Sequence, residues 1–252
     1  MKKMKVLALV MCAVLMVGML AGCGGAKEEG KKKLVMATNA AFPPYEFYED
    51  GVAVGIDVDI MKAIADKLGM ELEVADMEFG SIITAVATGK ADVGAAAITK
   101  TEDRLKSVNF TSTYATGIQS VIVKEGGPIA SLDDLKGEDV KIGVQQDTTG
   151  DIYATGDFGD DHMIRYNKGA DAVQALSSGK CSAVIIDNGP AKVFVETNDG
   201  LVLLETPYAE EEYSFEISYD NQELYDQVNK ALEELIADGS IQKIVDKYIV
   251  AE

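Results

Sequence analysis

Arg104 is the residue whose position most demands a chemical reason. It stands in ADVGAAAITKTEDRLKSVNFTSTY (residues 91–114), which reads as a buried strand over Ala91 to Ile98, a turn, and a helix opening near Thr101. Thr101 is a good N-cap, and Glu102 and Asp103 suit the positive end of a helix dipole. A cation in that same turn is misplaced unless an anion sits there too. The strand carries only small side chains at Gly94, Ala95, Ala96 and Ala97, so another group can approach its backbone closely. One reading is a surface arginine paired with Asp103. The other is a small-molecule carboxylate held by the Arg104 guanidinium, the Thr99 hydroxyl and exposed main chain.

The elements that must position these groups alternate strand and helix, as in mostly parallel sheets flanked by helices. Leu34–Ala37 is a predicted strand. Asp57–Leu68 is an amphipathic helix with Ile60, Ile64 and Leu68 on one face and Gly69 as its stop. Strands follow at Leu72–Ala75 and Val140–Val144, and helices at Ile82–Thr88, Thr149–Ala154 and Ala170–Ser177. Asn221–Ala237 is a helix with Asp220 and Glu223 placed nearly as a capping box, and Ser240 caps Ile241–Tyr248. Two segments match: AVATGKADVGAAAIT (85–99) lies over QALSSGKCSAVIIDN (174–188), with Gly89-Lys90 on Gly179-Lys180 and Ala97 on Asp187. Two unrelated helix–strand units sharing a Gly-Lys turn would look the same. In open α/β sheets ligands bind beyond the carboxyl ends of strands. Four such ends are polar or small: Asn39, Ala97–Thr99, Gln145–Thr149 and Asp187.

The spacing Ala97, Thr99, Arg104 resembles the signature of the family 3 extracellular solute-binding proteins, the amino-acid receptors of ABC importers. VNFTSTY is similar to that family's Asp-Phe-Ser-x-x-Tyr segment, with Asn109-Phe110 in place of Asp-Phe, and the resemblance runs from Leu34 to Ile249. It implies an α/β, two-lobed, periplasmic-binding-protein-like fold of type II. Each lobe would be a mostly parallel sheet flanked by helices, and two hinge strands would join them. The expected division is 34–118 and 215–252 for lobe 1 and 119–214 for lobe 2. The crossings would lie near Gly117–Ser120 and Glu211–Phe215.

A free amino acid presents a carboxylate, an ammonium and a side chain. The carboxylate suits a guanidinium and a helix N-terminus, which Arg104 and Thr149 could supply from opposite lobes. The ammonium suits the Ala97 carbonyl, the Thr99 hydroxyl and the Asp187 carboxylate, positions to which the resemblance gives binding roles. Asp187 could instead cap a helix beginning near Pro190. Phe42 in NAAFPPYEF and Phe79 in DMEFGS match the family's stacking positions, though each could be core. Asn39 stands where the family often has Asp facing the ligand side chain, which weakens the case for a cationic ligand. Glu46 could restore that charge. Asp147 replaces a small residue and adds negative charge near the carboxylate subsite.

Residues 1–23 join three lysines, an apolar run and Leu20-Ala21-Gly22-Cys23. They read as a signal peptide (1–22) closed by a sequence similar to a bacterial lipobox, with Cys23 lipidated by acyl chains such as palmitate. An ordinary secretory signal is the alternative; a transmembrane anchor fits less well, because the run is short and Gly-interrupted. Residues 23–33, Gly- and charge-rich, read as a tether. Without the signal the chain carries 20 Lys+Arg against 42 Asp+Glu, a net charge of −22. So acidic a body repels nucleic acid and anionic headgroups, leaving the lipid to hold it on the extracytoplasmic face of the membrane. Cys12 leaves with the signal and Cys23 is modified, so Cys181 has no disulfide partner and reads as a packed thiol. One histidine, His162, sits in a polar loop as a solvated residue. No metal-ligand spacing, nucleophile–histidine pair or phosphate loop is present, so no metal, cofactor or catalytic residue is expected.

The expectation is a monomeric receptor that captures a free polar L-amino acid, does no chemistry, and delivers it to the permease and ATPase subunits of an ABC importer. Two rivals remain. One is a cleft enzyme of the cyclohexadienyl dehydratase type, for which Glu78 or Glu46 would have to serve as acid or base. The other is a sensory input domain, against which the end at Glu252 counts.

Overall fold

A mostly buried strand, β1 (Lys33–Thr38), is the first element among the described residues of the structure, a computed structural model that describes residues 31–249. The expected signal peptide and lipidated Cys23 lie outside the described residues. β1 leads into a small antiparallel sheet of β2 (Ala41–Phe42), β3 (Glu46–Glu49) and β4 (Val52–Val54), which the sequence patterns had not indicated. Helix α1 (Ile56–Lys67) follows, burying Ile56, Ile60 and Ile64 at the i, i+4, i+8 spacing, with Asp57 and Asp59 in its first turn and Lys67 in its last. Then come β5 (Glu71–Asp76), α2 (Phe79–Ala87), β6 (Val93–Gly94) and β7 (Val108–Phe110).

The strand expected over Ala91–Ile98 is thus only two paired residues. Past Gly94 the backbone curls off the sheet. Ala97 has φ +47°, and its N–H donates to the Asp57 carboxylate at 2.8 Å instead of to a neighbouring strand. The helix expected at Thr101 is a single 3-10 turn, Arg104–Lys106, because the chain folds straight back into β7. Thr101 still caps that turn, its hydroxyl accepting from Arg104 N at 3.2 Å.

β8 (Ala115–Lys124) carries the chain into a second sheet. There follow β9 (Ile142–Gln145), α3 (Thr149–Phe158), β10 (Met163–Tyr166), α4 (Gly169–Ser177), β11 (Ala183–Asp187), α5 (Asn188–Thr197) and β12 (Leu201–Leu203). β13 (Ala209–Tyr213) runs back antiparallel along the first half of β8, with Ala115 opposite Tyr213 and Gly117 opposite Glu211. β14 (Glu216–Ser218), α6 (Gln222–Ala237) and α7 (Ser240–Tyr248) then rejoin the first sheet. Two capping expectations shift by a residue or two. Asn221, not Asp220, caps α6 by accepting from Leu224 N; Ser240 is the first residue of α7, and its N–H is taken by Asp238.

The sheet orders are β5-β1-β6-β14-β7 and β10-β9-β11-β8-β12. Each has three parallel strands followed by one antiparallel strand, β14 in the first sheet and β8 in the second. Each sheet is covered on both faces. Leu34, Met36, Phe215 and Ile217 pack with α1 and α6, while Ile82, Val86, Ile98 and Val108 form the layer under α2. In the second sheet Ile122, Val184 and Ile186 meet α4, and Val121, Val144 and Ile185 meet Ala154 of α3. Burial of such side chains stabilises by about 1.5–3 kcal/mol each. The aligned Gly-Lys turns have the same geometry. Gly89 and Gly179 sit at φ +71° and +76°, with paired bonds to the carbonyls of Val86 and Leu176 and of Ala85 and Ala175. Both helices therefore end in the same Schellman motif and feed a strand. Cys181 is a buried free thiol, and burial pushes its pKa up to about 11. His162 is not simply solvated: its Nδ1 lies 2.8 Å from the Val140 carbonyl.

Gly55 joins the small sheet to α1 at φ +128°, and a Cβ there would run into the Tyr45 carbonyl. That backbone region is essentially restricted to glycine. Gly55→Ala should therefore cost about 2 kcal/mol or more, seen as a lower urea midpoint with unchanged slope.

Candidate functional site

The carboxyl ends of both parallel sets face each other across a cleft, and all eight residues singled out by sequence line one enclosed cavity there. Asn39, Phe42, Phe79, Ala97, Thr99 and Arg104 come from the first sheet's side, and Thr149 and Asp187 from the second's. The walls stand close together, and the space left between them for a water-sized sphere is only about 30 Å³.

Arg104 is held by a chain of contacts that begins in α1. Asp57, fully buried, accepts from Ala97 N at 2.8 Å and from the Tyr114 hydroxyl at 2.6 Å. This fixes the left-handed turn at Ala97 and aims the following residues. The Thr99 carbonyl then accepts from Arg104 Nη1 at 2.8 Å, and the guanidinium lies over the Phe79 ring, 5.3 Å from its centroid. Phe79 is thus as much a platform for Arg104 as a clamp. Burial presses the guanidinium pKa down, while Glu216, Glu211, Tyr153 and Asp147 work the other way.

From the opposite side Thr148 caps α3, accepting from Asp151 N, and places Thr149 at the first helical position. Asp147 is accommodated by turning outward: at φ +66° its side chain lies over Gly80 while its carbonyl accepts from Arg104 Nη2 at 3.2 Å. The two sides also meet at Asn39. Its Nδ2 donates to the Met77 carbonyl at 2.7 Å, and its Oδ1 accepts from Gln145 Nε2 at 3.0 Å, so both polar atoms are engaged. Asp187 caps α5 after all: Oδ1 accepts from Gly189 N at 3.0 Å and Oδ2 from the Tyr213 hydroxyl.

Sequence patterns missed part of the wall. Gln119 on β8 and Glu211 and Tyr213 on β13 enter the cavity from the crossing strands; Gln145, named above as a strand end, and Glu46, named as a source of negative charge, complete it. The position of the crossings was the available signal. Glu46 is 1% exposed. Burial, then Asp57 and Asp187, holds its carboxyl well above the usual range. Burial pushes Asp187 up to about 8, against the Gly189 hydrogen bond and with help from Glu211. Three buried acceptors on this wall, Glu46 Oε2, Gln119 Oε1 and Glu211 Oε1, make no hydrogen bond. The wall therefore has one guanidinium, three carboxylates and a set of unmatched acceptors. Among the described residues no group of His, Cys, Asp or Glu is disposed to hold a metal ion.

The sequence profile of the bacterial extracellular solute-binding proteins, family 3, matches residues 34–251. The chain belongs to that family. It is similar to the arginine-binding extracellular protein ArtP of Bacillus subtilis, with 35% identity over 99% of this chain and all of that one. Among solved structures it is similar to an ancestral arginine-binding protein bound to glutamine, with a TM-score of 0.82 and 37% identity over 88% of this chain and 99% of that one. It is also similar to the ancestral amino acid-binding protein AncCDT-1, a precursor of cyclohexadienyl dehydratase, with a TM-score of 0.80 and 30% identity over 86% of this chain and 95% of that one. The two-lobed type II architecture expected from sequence is the architecture of these relatives.

The buried acids set the pH response of this family member. Burial raises Asp57 to about 7, Asp187 to about 8 and Glu216 to about 7. Unfolded carboxyls titrate near 4, so between about pH 4 and 8 the folded chain holds more protons and stability falls as pH rises. Carboxyls held low, such as Asp134 and Asp238, act only below that window. Without added ligand the melting temperature should drop by roughly 5 °C or more from pH 5.5 to 8.5, as measured by scanning calorimetry.

Proposed function

We propose that the chain is the ligand-capturing subunit of an amino-acid ABC importer and that its ligand is a cationic L-amino acid. It acts as a monomer, with lobes 34–118 plus 215–252 and 119–214 closing on the ligand, and hands it to the permease and ATPase subunits without chemistry. The observation that carries the cationic assignment is the surplus of unmatched buried acceptors on Glu46, Gln119 and Glu211. A ligand carboxylate neutralises Arg104 and its ammonium satisfies one acid near Asp187 and the Ala97 carbonyl. Two acids then remain, Glu46 and Glu211, each with a buried oxygen that has no donor, and leaving such oxygens unmatched is costly. A guanidinium or side-chain ammonium removes that cost. The names of relatives such as ArtP support the same ligand class. Glu46 and Glu211 thus supply the charge that Asn39 lacks.

A micromolar complex needs roughly −8 kcal/mol. Charge-assisted bonds of ~1.5–3 kcal/mol each, with stacking on Phe42 and Phe79, reach that scale. The likeness to AncCDT-1 keeps one enzyme reading in view, and absence of product from a cyclohexadienyl substrate tests it.

A thermal-shift screen of the twenty L-amino acids should give its largest shift with arginine, lysine or histidine, since a ligand that binds only the native state raises its melting temperature. Arg104→Ala should weaken every ligand by about 2–4 kcal/mol. Glu46→Gln should cut arginine affinity about tenfold or more, ~1.4 kcal/mol, and leave glutamine nearly unchanged; calorimetric titration reads both. Equal losses for the two ligands would remove Glu46 from the side-chain subsite.

We further propose that Cys23 is lipidated and anchors the protein on the extracytoplasmic face of the membrane. The acidic body offers no other attachment. Cys23→Ser should move the protein from the membrane pellet to the soluble fraction with ligand binding intact.

A further inference from the structure

Behind Arg104 lies a carboxylate with no role in the cavity wall. Glu216 is the first residue of β14, only 1% exposed, and its Oε2 makes no hydrogen bond. Side chains alternate along a strand. Phe215 and Ile217 face the core under α1 and α6, so Glu216 faces the other way, toward Gly94 and Ile82. Its pairing neighbours are Gly94 of β6 and Phe110 of β7, neither of which titrates. Helix α2, FGSIITAVA, packs on this face and has no charged residue. Among the described residues, Arg104 is the one charge that acts on it from its own side of the cleft. Across the groove that Glu216 and Arg104 share, the other lobe brings Asp147, Asp151 and Arg165, and Asp103 stands at its rim.

A guanidinium between two carboxylates cannot serve both equally. Arg104 Nη1 and Nη2 donate to the carbonyls of Thr99 and Asp147, and no ion pair joins Arg104 to Glu216. Glu216 acts on it through the field alone, across the groove that both line and in a site where water screens little. It lowers the positive potential that a ligand carboxylate would meet.

We propose that Glu216 is a proton-linked brake on ligand capture. When ionised it offsets Arg104 and opposes an incoming carboxylate; on binding it takes a proton from solvent and leaves Arg104 to the ligand. This rests on the reading of Arg104 as the receptor of the ligand's carboxylate. Burial pushes Glu216 up to about 7, with Arg104 pulling the other way, so the group titrates near neutral pH. A ligand carboxylate that neutralises Arg104 removes that pull and favours the protonated form. By linkage, affinity falls as pH rises through this range. Glu46, Asp187 and Asp57 titrate in the cleft as well, and a ligand ammonium drives protons off them, the opposite sign. They are common to the wild-type protein and a Glu216 variant, so a comparison of the two cancels them.

The test is calorimetric titration of the wild-type protein and Glu216→Gln with L-arginine, and separately L-glutamine, at pH 5.5 and pH 8.0 in two buffers of different ionisation enthalpy. Glu216→Gln should bind both roughly three- to tenfold more tightly than wild type at pH 8.0, the effect of one fewer opposing charge. The two should be equal at pH 5.5, and the variant should take up fewer protons on binding. Weaker binding by the variant at pH 8.0, or the same affinity ratio at both pH values, overturns the proposal. If Glu216→Gln does not fold, Glu216→Ala and a carboxyl carbon-13 titration of the wild-type protein decide. The Glu216 pKa should rise on saturation with ligand, and an unchanged value overturns the brake. Binding without the pH difference removes only this proposal, whereas failure of both amino acids to bind either protein removes the receptor reading and the brake with it.

Discussion

One buried carboxylate, Asp57, decides the geometry on which the cleft depends. An acid in the first turn of a helix normally complements the dipole from the surface. Here it is fully buried, and its two oxygens are taken by Ala97 N and the Tyr114 hydroxyl. The first bond ends the strand and bends the chain. The second fixes the segment that leads into β8. From the bend follow the Thr99 carbonyl, the Arg104 guanidinium it holds, and the Phe79 ring below that guanidinium. Core and cleft are therefore joined through two hydrogen bonds, and a burial that raises the carboxyl's pKa accompanies that coupling.

The electrostatics of the cleft follow from how it is assembled. Sheets bring their carboxyl ends together, and here those ends and the crossing strands supply Glu46, Asp187 and Glu211 against one arginine. Buried charges of one sign repel and lose hydration. The protein tolerates this through local bonds, Gly189 and Tyr213 to Asp187 and Gln119 to Glu211, which satisfy some oxygens and leave others unmatched. The unmatched ones define what a partner must bring: donors and positive charge. Two hydrogen bonds, Gln145–Asn39 and Arg104–Asp147, link the two sides directly.

The alternating architecture and the matched Gly-Lys turns were legible in the sequence because each is carried by local periodicity and turn chemistry. Arg104 stood out for a local reason too, a cation where a helix dipole disfavours one. The errors came where long-range contacts overrule local pattern. Ala91–Ile98 reads as a strand, yet a hydrogen bond to Asp57, 40 residues earlier, pulls it off the sheet. Glu211 reads only as the start of a crossing, with no place in the site. Glu211 is nevertheless buried, because β8 pairs alongside and the second sheet closes over it. Asn39 reads as a group free to meet a ligand, while its amide is spent between Met77 and Gln145. None of these contacts leaves a trace in the neighbouring residues.

The place of β14 in the first sheet also bears on how the chain acquires its structure. β14 lies between β6 and β7, yet more than a hundred residues separate it from either. The second sheet and its helices come from one continuous stretch, so that half can reach its final pairing as soon as the stretch is available. The first half cannot: an interior strand is missing until the last forty residues arrive, and its edges at β6 and β7 stay unpaired meanwhile. Such edges are sticky, and distant pairings form slowly. The order in which the chain emerges therefore makes the first half the late and vulnerable one, completed by the same strand that sets Glu216 behind Arg104.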